Sequence, residues 1–162
     1  DDDKRLVARL RCQYHSDFFA HLLNNLGKYY NGARLAVENN DHGILTNYVL
    51  AKQLFYPNLY TQVQHDKIAE VDTPTLGFST NVKTKPMIID QLRAVVREYG
   101  MVIEDAVTLR EMQTYILTES GRMEAEEGCH DDCVMSLALA NYIHEGRFKP
   151  VEVTDDFYAE AD

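Results

Sequence analysis

An α/β domain with a mixed central sheet and helices on both faces is what this sequence predicts, on three observations. Short apolar runs bounded by turn residues alternate with longer stretches whose apolar residues recur at helical spacing. A chain of 162 residues can bury one proper core without disulfide or metal staples, which argues for a single domain over 1–162. Hydrophobic residues make up 45% and charged residues 26%, so disorder is not the default. No run approaches the roughly 18 apolar residues of a membrane span and the start is not signal-like, so no membrane partner is expected.

Each element follows from local pattern. Asp1-Asp2-Asp3-Lys4 has no apolar strand ahead of it and reads as a turn between strands or the remnant of a cleavable purification tag. Over residues 5–13, Leu6, Ala8, Leu10 and Cys12 fall on one face, with Arg5, Arg9 and Arg11 mostly on the other, the pattern of a half-exposed strand. Ser16-Asp17 opens a helix carrying Phe18, Phe19, Leu22, Leu23 and Leu26, which Tyr29-Tyr30-Asn31-Gly32 ends. Residues 33–37 read as a central parallel strand running out into the polar loop Glu38-Asn39-Asn40-Asp41-His42-Gly43, with a helix from about Ile44 to Leu54. Residues 58–64 make a further strand, and 66–75 are polar enough to be a loop. Pro86 stands in the first turn of a helix reaching residue 99, with Ile88, Leu92, Val95 and Val96 as its core stripe. A strand over 100–103 precedes a helix opened by Asp105 and carrying Leu109, Met112 and Ile116. A hairpin around Ser120-Gly121 then delivers the chain to its last helix, and the acidic tail 147–162 reads as a surface strand or arm with a frayed end.

Charge is unevenly spread. The net charge of −10 excludes a generic basic coat for nucleic acid. Between residues 98 and 145 eleven acids face only Arg110 and Arg122, while residues 4–34 carry six basic side chains and one acid, Asp17. An acidic pole of this kind concentrates cations, though it also serves as an ordinary solvated face. Cys12, Cys129 and Cys133 are an odd, scattered set, which points to reduced thiols in a cytosolic compartment rather than a disulfide framework. Cys129, His130 and Cys133 lack the second ligand pair that a structural zinc site requires.

The stretch with most chemical content runs from Gly128 to Asn141. His130-Asp131-Asp132 stands at the start of a helix that is apolar almost all the way round, and such a helix is buried. One aspartate would serve as an N-cap. A second beside it adds repulsion that something must neutralise, and a divalent cation would do so. Glu38 occupies the carboxyl end of an internal strand, where chemistry collects in open α/β sheets, or belongs simply to a hydrophilic turn. Glu38, Asp131 and Asp132 together would suit hard cations with oxygen ligands. Two Mg²⁺ or Mn²⁺ ions about 4 Å apart would supply a hydroxide nucleophile and stabilise the leaving oxygen in phosphodiester cleavage. Lys83 and Lys85, just before a helix, could meet phosphates or form a solvated basic turn. The chain has neither a G-x-S-x-G elbow nor a G-x-x-x-x-G-K-[ST] phosphate loop.

Three stretches in series, Glu38 to Gly43, Gly77-Phe78-Ser79-Thr80 with Thr84-Lys85-Pro86, and Gly128 to Asn141, resemble the nuclease domain of tailed-bacteriophage large terminase subunits. The resemblance spans roughly residues 6–144. It implies an RNase H-like fold and a metal-dependent endonuclease that cuts concatemeric double-stranded DNA at the initiation and termination of packaging. Glu38 then matches a catalytic acid, and Asp131 and Asp132 match the acidic pair that closes a site for two Mg²⁺ or Mn²⁺. Lys85 matches the lysine of the Thr-Lys-Pro turn, beside DNA or holding the loop. The implied partners are double-stranded DNA, the ATPase domain of the same parent protein, the portal and the small terminase, in the host cytoplasm. The family's first catalytic aspartate lies on a strand ahead of residues 5–13. Asp1, Asp2 and Asp3 have the side chain without that strand, so the resemblance implies that the sequence begins after it.

Two other readings are a non-catalytic docking module of the packaging motor and another RNase H-like nuclease such as a junction resolvase. A packaging nuclease reads phosphates rather than bases, and with so acidic a chain its affinity for DNA is expected to be weak. Gel-shift titration of linear duplex should therefore give a weak, salt-sensitive complex; a tight, salt-insensitive one would refute this.

Overall fold

The computed structural model describes residues 4–66 and 71–146. Asp1 to Asp3 and the tail 147–162, both discussed above, lie outside the described residues. The described chain is mixed α/β, with five α-helices and small parallel and antiparallel sheets. Its elements are β1 (Lys4–Arg5), α1 (Ser16–Tyr29), α2 (Asp41–Tyr48), β2 (Thr61–Asp66), β3 (Val71–Leu76) and α3 (Thr84–Arg97), then β4 (Met101–Val102), α4 (Ala106–Gln113), β5 (Tyr115–Leu117), β6 (Met123–Ala125) and α5 (Asp132–Gly146). A π-helical turn, Val49–Gln53, continues α2.

The described strands pair two by two rather than in the single mixed sheet expected from the sequence. Among the described residues β1 pairs in parallel with β4, while β2–β3 and β5–β6 are antiparallel ribbons. The expected strand at 33–37 is present as an extended segment joined to its neighbours by parallel bridges, Leu35 to Leu59 and Glu38 to Phe78. The expected strand over 5–13 narrows to β1, after which only Leu6 N–H, donating to Val102 O at 3.0 Å, extends the ladder. Alternation decides which side chains share a face, but a strand also needs a neighbour for its backbone groups. Residues 66–75 depart in the other direction from the expected loop: Asp66 ends β2, and 71–75 belong to β3. Among the described side chains of this ribbon none is buried, so none imposes apolar alternation, and Pro74 is tolerated where no third described strand pairs with β3.

Two helices start or turn differently from the apolar pattern. Asn40 caps α2 by accepting the Gly43 N–H at 3.1 Å, so the polar run 39–41 is a cap and first turn rather than a loop. In α4 the expected core face was Leu109, Met112 and Ile116. Leu109 is exposed, Ile116 belongs to β5, and the buried positions are Thr108 and Glu111.

Two apolar clusters hold the chain. The larger joins Ile88, Ile89 and Leu92 of α3 to Val134, Leu137, Ala138, Leu139 and Ile143 of α5, with Phe78 sealed between them and packed edge-on against Tyr142 at 5.5 Å. Burial of the α5 side chains on so many faces agrees with its near-continuous apolar sequence, and between its first residue, Asp132, and its last turn only Ser136 and Ala140 are exposed. The smaller cluster sets Ala20 of α1 against Val49, Leu50 and Tyr56. Among the described residues no helix is long and apolar enough to cross a membrane.

Gly43 fixes the backbone at the end of the 33–38 segment. A Cβ there would stand 1.7 Å from the Glu38 carbonyl oxygen, so the start of α2 is in direct contact with that strand end. Gly43→Ala should force the two apart and lower stability by about 1–3 kcal/mol, the usual cost of overpacking. Urea denaturation reads this directly, and an unchanged midpoint would show that the contact is not rigid.

Candidate functional site around the start of α5

The carbonyl of Asp131 accepts the first helical bond of α5, from Met135 N–H at 2.8 Å. Among the described residues neither the Asp131 nor the Asp132 carboxylate caps a backbone N–H. The capping role falls to Glu111 of α4, whose Oε2 accepts the Cys133 N–H at 2.7 Å in a buried contact. The N-cap explanation for the aspartate pair is thus satisfied by a third acid from another helix. Both aspartates are left to do something else.

They turn to different partners. Asp131 Oδ2 is 3.5 Å from Lys85 Nζ, and both side chains are about a third exposed. Lys85 also lies over the ring of Tyr115, 5.9 Å from its centroid. Asp132 Oδ2 is 3.2 Å from Nη2 of Arg11, whose Nη1 bonds Glu111 Oε1 at 3.1 Å. One guanidinium therefore bridges two carboxylates, using the planar fork that makes arginine suited to such sites.

Residues 5–11 bring this arginine in. Arg5 pairs with Glu104 and Arg9 with Asp105, each at 2.9 Å, and Lys4 pairs with Glu145. The basic face read from the alternation thus lies along the acidic rim formed by α4 and the start of α5. Asp105 also caps α4, accepting the N–H and the hydroxyl of Thr108 at 2.8 Å. The Thr108 N–H leads in holding its carboxyl below the ordinary range, followed by the Thr108 hydroxyl, with Arg9 contributing less.

Around these contacts the field is mixed. The Tyr115 hydroxyl is pushed up to about 12, first by burial and then by the nearby charges of Asp131 and Glu124. It remains a donor, to the Met123 carbonyl at 3.1 Å. Burial, and then contact with Glu111, raises the Cys133 thiol, a side chain packed away from solvent.

The second of the three sequence stretches is placed by its own hydrogen bonds. Asn81 Oδ1 accepts the N–H groups of Lys83 and Thr84, and the Thr84 hydroxyl donates to Ser79 O at 2.9 Å. That turn starts α3 and aims Lys85 at Asp131, whereas Lys83 is exposed. Glu38 is half-buried at the end of its extended segment, beside Phe78. Among the described residues no three His, Cys, Asp or Glu side chains gather closely enough to hold a metal ion, so Glu38, Asp131 and Asp132 do not form one cluster.

Two residues central to this arrangement were not singled out from sequence for their role. Arg11 was read only as part of a strand's solvent face. Glu111 carried a usable signal: it lies one helical turn after Thr108 and next to Met112, so an acid sits on the inner face of a short helix. Such a carboxylate requires partners.

Removal of Glu111 tests how much of the site depends on it. Glu111→Ala orphans a buried N–H and should cost about 2–3 kcal/mol, whereas Glu111→Gln keeps an acceptor and should cost less. Thermal and urea melts of both variants distinguish these outcomes, and equal losses would deny the capping role. No protein-family model matches the sequence.

Proposed function

We propose that the chain is a divalent-metal-dependent DNA endonuclease domain of the large-terminase type, built on an RNase H-like fold. Its substrate would be concatemeric double-stranded viral DNA, cut at the initiation and termination of packaging in the host cytoplasm. Its partners would be the ATPase domain of the parent protein, the portal and the small terminase. The observation that carries this reading is the Lys85–Asp131 contact, which ties the second resembling stretch to the third across 46 residues of sequence. The parallel bridge between Glu38 and Phe78 ties the first stretch to the second in the same way. Residues that resemble one family's motifs in series are thus also neighbours in pairs.

In this reading Glu38, Asp131 and Asp132 are the acids of the site, and Lys85 holds the turn against α5 and lies near phosphate. The cofactors would be two Mg²⁺ or Mn²⁺ ions, which supply an activated water when bound. The described arrangement does not by itself fit a metal pair, since Asp131 faces Lys85, Asp132 faces Arg11 and, among the described residues, no three His, Cys, Asp or Glu side chains gather into a metal-holding group. What this chain's residues do without a metal is narrower: Glu111 fixes the start of α5, and Lys85 and Arg11 neutralise the two aspartates that would otherwise repel one another.

That same pairing favours a second reading, a non-catalytic docking module of the packaging motor, in which the acids are simply ion-pair partners. Incubation of supercoiled plasmid with Mn²⁺ separates the two. The nuclease reading expects nicking that Asp132→Ala and Glu38→Ala each abolish. Absence of nicking with either Mg²⁺ or Mn²⁺ would favour the docking module, and a strong preference for branched over linear duplex would favour a junction resolvase.

A further inference from the structure

We propose that the acidic segment 147–162 docks back on its own domain, with Phe157 and Tyr158 seated in an apolar groove between residues 8–10 and α1. Helix α1 is apolar on two sides. On its inner side Ala20, Asn24 and Gly27 are buried, and Ala20 packs with Val49, Leu50 and Tyr56. A second stripe, Phe18, Leu22, Leu26 and Tyr29, recurs at helical spacing on the opposite side. Phe18 and Tyr29 on this stripe are 49% and 78% exposed. Ala8 and Leu10 face Leu22, Leu26 and Tyr29 across a groove of about 440 Å³, a volume typical of clefts that take a ligand-sized apolar group. Val7 and Leu10 are exposed beside it, so the patch is more than a scatter of single apolar side chains.

Reach and charge choose the occupant. Gly146 closes α5, and its neighbour Glu145 pairs with Lys4. The chain therefore passes out of the described residues next to β1, the strand that leads into the groove wall. Residues 4–10 span at most about 25 Å, whereas residues 147–157 can span about 35–40 Å, so Phe157 reaches the groove with slack. Charge then selects the anchor. Arg9 lines one wall, and Lys28 is exposed on α1, three residues after Asn25 of the other wall. Segment 147–162 carries five acids, of which Asp155, Asp156 and Glu160 surround Phe157-Tyr158. Its remaining aromatic, Phe148, stands between Arg147 and Lys149, whose charge a basic-rimmed groove repels. A second copy of the chain fits less well for the same reason, since two basic rims would face each other.

The chain has no tryptophan, so Phe157→Trp places a single fluorescent reporter at the anchor. In the whole chain its emission should be blue-shifted, and its quenching by acrylamide less steep, relative to an isolated 147–162 peptide carrying the same change. Leu10→Asp, at an exposed position outside the core, should return both readings to those of the peptide. Lys28→Glu changes charge alone and should weaken docking about twofold to fivefold, the usual range for an exposed ion pair. Emission in the whole chain that matches the free peptide overturns the proposal. So does a protected tryptophan that neither variant releases, which would seat it elsewhere on the domain. Protection that disappears on dilution together with a dimer in sedimentation would give the groove to a second copy, and overturns it as well.

Discussion

The arrangement at the start of α5 depends on one carboxylate. Glu111 accepts the backbone N–H of Cys133 with one oxygen and holds Arg11 with the other. It thereby joins three parts of the chain: the helix it belongs to, the helix it caps and the extended N-terminal segment. A buried acid is costly unless its lone pairs are used, and both oxygens of Glu111 are. The capping bond also relieves the aspartates of that task. An Asp pair freed from helix capping, with one member open to solvent, is chemically more available than two aspartates bound to backbone amides.

Packing then places the other contributors. The α3–α5 interface supplies most of the buried residues of the larger apolar cluster, and Phe78 links it to the segment ending in Glu38. Because α3 begins at the self-bonded Asn81–Thr84 turn, the orientation of Lys85 is set before the helix starts. The same apolar cluster that stabilises the domain therefore sets the approach of Lys85 to Asp131. Stability and site geometry are not separable at this interface.

Much of the element order was legible in the sequence, because helical periodicity and turn residues are local signals. The 84–97 helix, the last helix and the hairpin around Ser120-Gly121 follow from Ile88 and Leu92, from the apolar run after Asp132, and from the glycine turn. The sheet was less legible. Residues 5–13 have the alternation of a strand, yet pairing is a non-local fact that alternation does not contain. Residues 71–76 show the converse, a ribbon strand in which Thr73 and Pro74 are exposed and no apolar alternation marks it. At the site, Asp131, Asp132 and Lys85 could be selected because they are adjacent or stand at helix starts. Arg11 and Glu111 become meaningful only when the fold brings them together, although an acid on the inner face of the 106–113 helix was a visible anomaly.

The arginine-rich attachment of residues 5–11 has a consequence for how the molecule opens. This segment is fastened mainly by charge pairs at its rim, whereas the helices are fastened by apolar contact. Added salt screens the former and spares the latter. The N-terminal stretch is therefore a local unit with its own free energy of release, lower than that of the core and tunable by ionic strength. Amide hydrogens near Leu6 would exchange through this partial opening while those inside α5 wait for global unfolding.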